Sequence, residues 1–477
     1  MRRADLFAVI SAATLAAMLV AAKPADAQPR PASTQDLSQP SPGTDLNQAE
    51  PIPTTPVPAV SDPMLTPPAD ATQKIQSWND ALSLVRSRSP DYLSNFQTIK
   101  RAEAQTRQAL AALLPVVTGT GAYTHNFLQA DIPFGGTVLV SPPPNVWNAA
   151  ATGSWTPLNA RAYYDYETTK SNVNAAKLSF EDKRRQIAAA VVGAMLATLS
   201  SARVAELNRV GLKSALERLH LTEARLQYGQ GTPLDVDRAQ ADVAASRRQI
   251  IDGDESLRRA RESLGVALGS KDPISVATDL DLEAFERAVA TTCHLNENIE
   301  NRPDVASARE KVTVAKRAVK SAELAPLPTV GVASTAAYTD APLLGPNGTV
   351  SIQGVLTIPF YDGGLRYGQL RDARAAEEQA LQQLVSTRLA AVVSAARTKR
   401  GVDTSRADRD VAKTERDLAE RIDMRTREAY ARGRGTSLDL VTSAQALRLA
   451  EINLAILEFQ LAEARADAVL ENAECAF

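Results

Sequence analysis

Two periodicities alternate along this chain. Residues 80–114 and 303–324 have helical composition, and each stretch ends at a proline that cannot continue a helix. Residues 158–228 contain no proline, nor does anything beyond Pro359, and both stretches are rich in the strong helix formers Ala, Leu, Arg, Glu and Gln. They predict helices of about 70 and about 65 residues, each about 100 Å long and far longer than a globular domain uses. Shorter helices of roughly 25–35 residues flank them, so that two short helices laid end to end match one long one. Leu449, Ile452, Ile456, Phe459, Ala466 and Leu470 follow alternating three- and four-residue spacing, broken at Glu463, which predicts a coiled-coil seam.

Between the helices the apolar period shortens to two, the mark of strands. From Val116 to Phe127 one face reads Val116, Thr118, Thr120, Ala122, Thr124, Asn126, and the other Val117, Gly119, Gly121, Tyr123, His125, Phe127. In the next strand Trp147 and Trp155 share a face eight residues apart, about 26 Å at ~3.3 Å per residue. That spacing fits the ~25 Å apolar band of an outer-membrane barrel and marks Trp147, Trp155, Tyr123 and Phe127 as interface aromatics. Further on, Val350, Ile352, Gly354, Leu356 and Ile358 oppose Ser351, Gln353 and Thr357. Two ordinary hairpins on a soluble core would alternate in the same way. Four strands cannot close a barrel, since single-chain barrels start at about eight. Either the sheet keeps exposed edges or several chains share one barrel, and three copies would give twelve strands.

The order of elements occurs twice. Ser89-Pro90-Asp91-Tyr92 returns as Arg302-Pro303-Asp304-Val305, and Leu114-Pro115-Val116-Val117 as Leu327-Pro328-Thr329-Val330, both 213 positions later. Gly231-Thr232-Pro233-Leu234-Asp235 returns as Gly435-Thr436-Ser437-Leu438-Asp439, 204 positions later, which a shorter loop in the second copy accounts for. The pattern predicts an internal duplication, with one repeat over residues 75–290 and the other over 291–477.

The first residues read as an address. A basic Met1-Arg2-Arg3, an apolar stretch over 6–22 and the small-x-small site Ala25-Asp26-Ala27 predict a signal peptide over 1–27, cleaved before Gln28. Residues 28–74 are dense in Pro, Ser, Thr, Gln and Asp and predict a disordered linker. No later apolar run reaches the roughly 18–20 residues of a spanning helix, which leaves a soluble protein or a β-barrel. A formal net charge of −2 implies no large basic surface for nucleic acid. Cys293 and Cys475 would share an oxidising compartment, where a disulfide is permitted without being implied. His125, His220 and His294 have no Cys or carboxylate at metal-ligand spacing, and no nucleophile elbow is present, so no metal, cofactor or catalysis is expected.

The duplicated helix–hairpin–helix pattern, the Leu-Pro before each first strand, the strand end Pro359-Phe360-Tyr361-Asp362-Gly363-Gly364 and the turns at 228–235 and 430–439 together resemble TolC-like outer-membrane efflux proteins. The resemblance covers essentially residues 75–473. It implies a mainly α fold with transmembrane β: a homotrimer whose long antiparallel helices form an α-barrel joined to a shared twelve-stranded outer-membrane barrel among lipids. It further implies a passive channel of a multidrug efflux or type I secretion system, receiving cargo from an inner-membrane pump (resistance-nodulation-division, ATP-binding cassette or other) through a periplasmic adaptor. Tyr228, Gly231, Thr232, Gly433, Gly435 and Thr436 would be the adaptor-contacting tips. At the tunnel mouth Tyr430 and Asp235 fall on the family's tethering Tyr and Asp, while its Arg position is Gly435 here, with Arg434 adjacent. Asp439 falls on the family's acidic ring; Thr442 replaces a second acidic position. A plainer role for Asp235 and Asp439 is to cap the helices that follow each Gly-Thr turn. A non-channel coiled-coil adhesin or a periplasmic adaptor is the alternative, but an adaptor would carry one helical hairpin rather than two.

Overall fold

In the computed structural model the described residues are 60–135, 137–295, 298–340, 347–475 and 477; the signal-peptide reading at 1–27 and the linker reading over 28–59 lie outside them. A 3-10 turn at Pro63–Leu65 and strand β1 (Gln73–Ile75) lead into helices α1 (Trp78–Arg88) and α2 (Pro90–Ala111). Strand β2 (Val116–His125), the ribbon β3 (Ala130–Phe134) and β4 (Thr137–Ser141), and β5 (Asn145–Leu158) follow, then α3 (Ala160–Gln227) and α4 (Pro233–Ala267). β6 (Ile274–Val276), α5 (Leu282–Thr292) and β7 (Cys293–Leu295) connect to α6 (Pro303–Glu323), β8 (Thr329–Thr339) and β9 (Gly348–Thr357). The chain continues with α7 (Leu365–Ala431), α8 (Ser437–Glu471) and β10 (Ala473–Cys475).

Local chemistry sets the joints. The helix expected over 80–114 is split at Ser89, whose extended backbone (ψ 117°) is what a following proline favours, and whose hydroxyl caps α2. Asn159 starts α3 by accepting from the Ala162 amide. The turn into α7 needs two left-handed residues, supplied by Gly363 (φ 67°) and Gly364 (φ 90°).

The main core lies about midway along α3. Trp78 and Val85 of α1, Met195 and Leu196 of α3, Phe285 of α5 and Leu470 of α8 meet there, with the Trp78 and Phe285 rings edge-on at 5.8 Å. Glu471 beside it binds Arg302 at 2.8 Å and Arg185 at 3.3 Å, tying α3, α6 and α8 together. Cys293 and Cys475 sit directly opposite each other in the antiparallel pair β7–β10, fully buried, and form a disulfide.

Three expectations are corrected. Residues 62–74, read as part of a disordered linker, are docked: Asp62 caps the 3-10 turn and binds Arg247 at 2.8 Å, Met64 and Leu65 pack on Leu212 and Ile250, and β1 pairs with β6. Two apolar side chains and one ion pair are enough to hold a proline-rich strap that composition alone marks as unstructured. In the coiled-coil seam Ala466 and Leu470 are buried as expected, but Leu449 is 59% exposed and its neighbour Arg448 is buried instead, because the facing surface of α4 is polar there. Finally, α3 and α8 each contain a stretch long and apolar enough to cross a membrane by composition; both helices also feed the main core.

Replacing both cysteines by serine is expected to cost about 2–5 kcal/mol. Denaturant midpoints with and without reductant check this; an unchanged midpoint after full reduction, confirmed by thiol titration, would contradict it.

Candidate functional site

Two regions carry the candidate functional residues, a sheet at one end of the long helices and a pair of helical turns at the other. The sheet runs β2–β5–β8–β9 with every neighbour antiparallel. Its register puts Tyr123 opposite Trp147, Ala149 opposite Tyr338 and Ala336 opposite Val350. Val117, Tyr123, Trp147, Trp155, Tyr338, Val350, Ile352 and Leu356 therefore share one face, which is aromatic and aliphatic. The opposite face carries Thr118, Thr120, Thr152, Thr335, Ser351 and Gln353, and the Thr118 and Thr152 hydroxyls hydrogen-bond across strands at 2.7 Å. The two strand pairs, each with its own apolar side in the sequence, are thus joined into a single amphipathic sheet.

Aromatic residues cluster at both ends of the apolar face. Tyr123 and Trp147 rings lie 4.9 Å apart, with Phe127 just beyond β2 and 88% exposed. Trp155 sits at the helix-proximal end, where its Nε1 donates to the Leu113 carbonyl at 3.0 Å. Phe360 and Tyr361, each 89% exposed, mark the same level after β9.

At the far end each turn is built by one device. Thr232 and Thr436 cap α4 and α8 through their hydroxyls, and Asp235 and Asp439, at the third helical position, return a bond to the threonine amide, completing two capping boxes. Gly229 (φ 71°) and Gly433 (φ 72°) end the preceding helices. Gly231 and Gly435 press on the last turns of α3 and α7, while Tyr228 is 81% exposed.

Within one chain Tyr430 and Asp235, expected at a tether, have separate partners. Tyr430 is buried beneath Arg225 of α3, whose guanidinium lies 4.1 Å from the ring centroid and donates to the Tyr430 carbonyl at 3.1 Å. That carbonyl belongs to the unpaired C-terminal end of α7, where a cation is stabilising. Asp235 instead accepts from Ser437 of α8, and Arg238 also donates to Ser437 at 3.4 Å. Arg434 is exposed and its side chain makes no hydrogen bond or ion pair with a described residue. Arg225, Arg238 and Ser437 escaped sequence reasoning, since their partners lie about two hundred residues away.

The Asp235 carboxyl is held below the usual carboxylate range, first by the Ser437 hydroxyl and then by Thr232. Asp439 is lowered by the Thr436 hydroxyl and amide. Both carboxylates are therefore ionised at neutral pH.

A family model described as outer membrane efflux protein matches residues 81–270 and 294–468. The fusaric acid resistance protein FusA of Burkholderia cepacia is 25% identical over 323 residues; the match covers 63% of this chain and 58% of that relative, so the chain spans under two thirds of its length. The pyoverdine export outer membrane protein OpmQ of Pseudomonas putida is 25% identical over 412 residues, 82% of this chain and 84% of that protein. Among solved structures, the Campylobacter jejuni CmeC outer membrane channel superposes with a TM-score of 0.70 at 16% identity, covering 88% of this chain and 95% of that one. VceC of Vibrio cholerae gives 0.66 at 18% identity, covering 83% and 96%.

The capping boxes set a pH window. A lowered carboxyl contributes stability that is complete above its unfolded pKa, about 3.9, and lost only as pH falls through the lower folded value. Amide protection in the first turn of α8 should stay flat from neutral pH down to about 5. Thr436→Ala should cost this turn about 1 kcal/mol, read as faster local hydrogen exchange. Protection that already falls around pH 6 would contradict the assignment.

Proposed function

The chain belongs to the outer membrane efflux protein family and resides in the outer membrane, and on that premise we propose that three copies assemble into one outer-membrane channel of a multicomponent efflux system. The observation that carries this reading is the open sheet. β2 and β9 are its outer strands, each ten residues long with one edge unpaired. In lipid, each unpaired backbone group costs several kcal/mol, so such edges require partners. The strands alternate in direction, so β9 of one copy meets β2 of the next antiparallel, and three copies close twelve strands with the threonine face inward. The aromatic clusters with Trp147, Trp155, Tyr123 and Phe127 then stand at the two membrane interfaces.

The two matched stretches of the family model support a duplication with repeats over 75–290 and 291–477. Below the barrel the helices continue as a tunnel of about 100 Å. The tips at Tyr228, Gly231, Thr232, Gly433, Gly435 and Thr436 meet a periplasmic adaptor, which connects to an inner-membrane pump. Asp439, with Tyr430, Asp235 and Arg434 nearby, lines the mouth. Three symmetry-related Asp439 carboxylates favour cations there. Transport is passive in this protein, and energy comes from the pump.

The test is single-channel recording of detergent-extracted protein in planar bilayers beside Asp439→Ala. Cation-selective pores whose selectivity falls in the variant are expected. Selectivity unchanged by the substitution would confine Asp439 to its cap, and protein that stays soluble and monomeric without pores would end the channel reading.

A further inference from the structure

The two helical turns match at an offset of 204, so each serves as a control for the other. Gly229 and Gly433 end the incoming helix, and Thr232 and Thr436 cap the outgoing one. Over residues 217–230 the formal charge is zero, from Glu217, Arg218, Glu223 and Arg225. Over residues 421–434 it is +3, from five arginines against Asp423 and Glu428. Where the first hairpin has Glu217, Leu221, Glu223, Tyr228 and Gln230, the second has Arg421, Arg425, Arg427, Arg432 and Arg434.

Burial sharpens the contrast. Both arginines of the first hairpin turn inward, Arg218 to Asp242 at 2.5 Å and Arg225 to the Tyr430 carbonyl at 3.1 Å. In the second hairpin the buried Asp423 takes up only Arg427, at 2.6 Å. Arg421, Arg425 and Arg432 are exposed, and like Arg434 their side chains make no hydrogen bond or ion pair with a described residue. Spacings of four and seven set these three on one side of α7, opposite the buried Asp423 and Tyr430. Farther from the tip, arginines of α7 are paired within the helix: Arg409 binds Asp410 at 3.0 Å and Arg416 binds Glu420 at 2.9 Å. Ile422 and Met424, both exposed, flank the stripe.

We infer that the tip of the second hairpin is a docking surface for an acidic helical hairpin, the tip of the adaptor proposed above, and that the first hairpin's tip is not. The inference rests on the channel reading and adds the chemistry of the partner. From Arg421 to Arg432 the stripe is about 16 Å long, or about three helical turns. A helix that carries carboxylates beside apolar residues satisfies all of it. Guanidiniums hold carboxylates in a two-point geometry, and the flexible Met424 adapts to the apolar side. A flat anionic lipid surface would use the charge and leave Ile422 and Met424 in water. Complementary charge also steers the partner to one hairpin type over the other, so a trimer engages three of its six hairpins.

Binding to the full-length trimer in detergent tests this with a synthetic two-helix hairpin carrying glutamates on both sides of its turn, beside a twin with lysines at those sites. The glutamate hairpin should bind about ten-fold tighter than the twin or better, and saturate near three copies per trimer. Raising salt from about 0.05 to about 0.3 M should remove most of the difference. The combined variant Arg421→Gln, Arg425→Gln, Arg432→Gln should lose the preference while still forming trimers. Equal binding of the twin, preference retained in the combined variant, or saturation near six copies overturns the inference. So does an unstructured peptide of the same charge that binds as well as the hairpin, or tighter binding to phosphatidylglycerol vesicles than to the hairpin. A combined variant that fails to trimerise places the stripe between copies and likewise overturns it. Absence of pores from the parent protein in planar bilayers would instead refute the channel reading beneath it, whatever the hairpin does.

Discussion

In a bilayer core an unpaired backbone N–H or C=O costs several kcal/mol, and the outer strands β2 and β9 each carry a row of them. Much else follows from that constraint. A sheet of four strands has no internal way to remove its edges, so in the proposed assembly one face meets lipid and both edges pair with copies. The register meets the first demand by placing Trp147, Tyr338, Val350 and Leu356 on one side, although they come from strand pairs far apart in sequence. Joining β5 to β8 within one chain makes the two strand pairs a single structural unit. The 68-residue α3 follows directly on β5, and the 67-residue α7 follows β9 through Gly363 and Gly364.

Those helices could not be held by large apolar side chains alone. Alanine recurs along their contacts, which lets the backbones approach closely but buries little surface per residue. The region around Trp78, Met195 and Leu470 is the main packed cluster, with smaller ones around Leu212 and Ile250 and around Val305 and Leu384. Elsewhere the wall is fastened by directional ties at intervals, Arg302 to Glu471 beside the core and Asp242 to Arg218 and Arg448 nearer the tip. A wall held in this way is stiff where charge is buried and pliable where single hydrogen bonds face water. Stiffness is thereby distributed by position along the helices rather than shared evenly.

What could be read from the sequence is what depends on period and composition. Strand faces, the Trp147–Trp155 spacing, the long proline-free helices and the Gly-Thr turns are local features, and they appear where their residues predicted. The ribbon of β3 and β4 had a local signal in Gly135-Gly136, but Pro133 interrupts the alternation beside it. Burial of Arg448 rather than Leu449 was not legible, because the acid it serves is on α4, 206 residues away. The same holds for Arg225, which stacks on Tyr430 where a residue-by-residue carry-over pointed to Asp235. The strap at 62–74 shows the converse failure: composition describes what a segment can bury, not what a neighbouring helix offers it.

The two roles open to Asp439 bear on each other. Its Oδ2 takes both the Thr436 amide, at 3.1 Å, and the Thr436 hydroxyl, at 2.7 Å. The second oxygen makes no hydrogen bond to a described residue. Both bonds favour the charged form, so the cap holds the carboxyl ionised well into acid, as its lowered pKa reflects. An uncapped carboxylate brought near two symmetry mates would tend to take up a proton, since like charges at close range raise each other's pKa. Capping therefore preserves the charge that a ring of three would need. In the proposed trimer the helix cap and the acidic ring are two uses of one ionised group, and the local use makes the collective one possible.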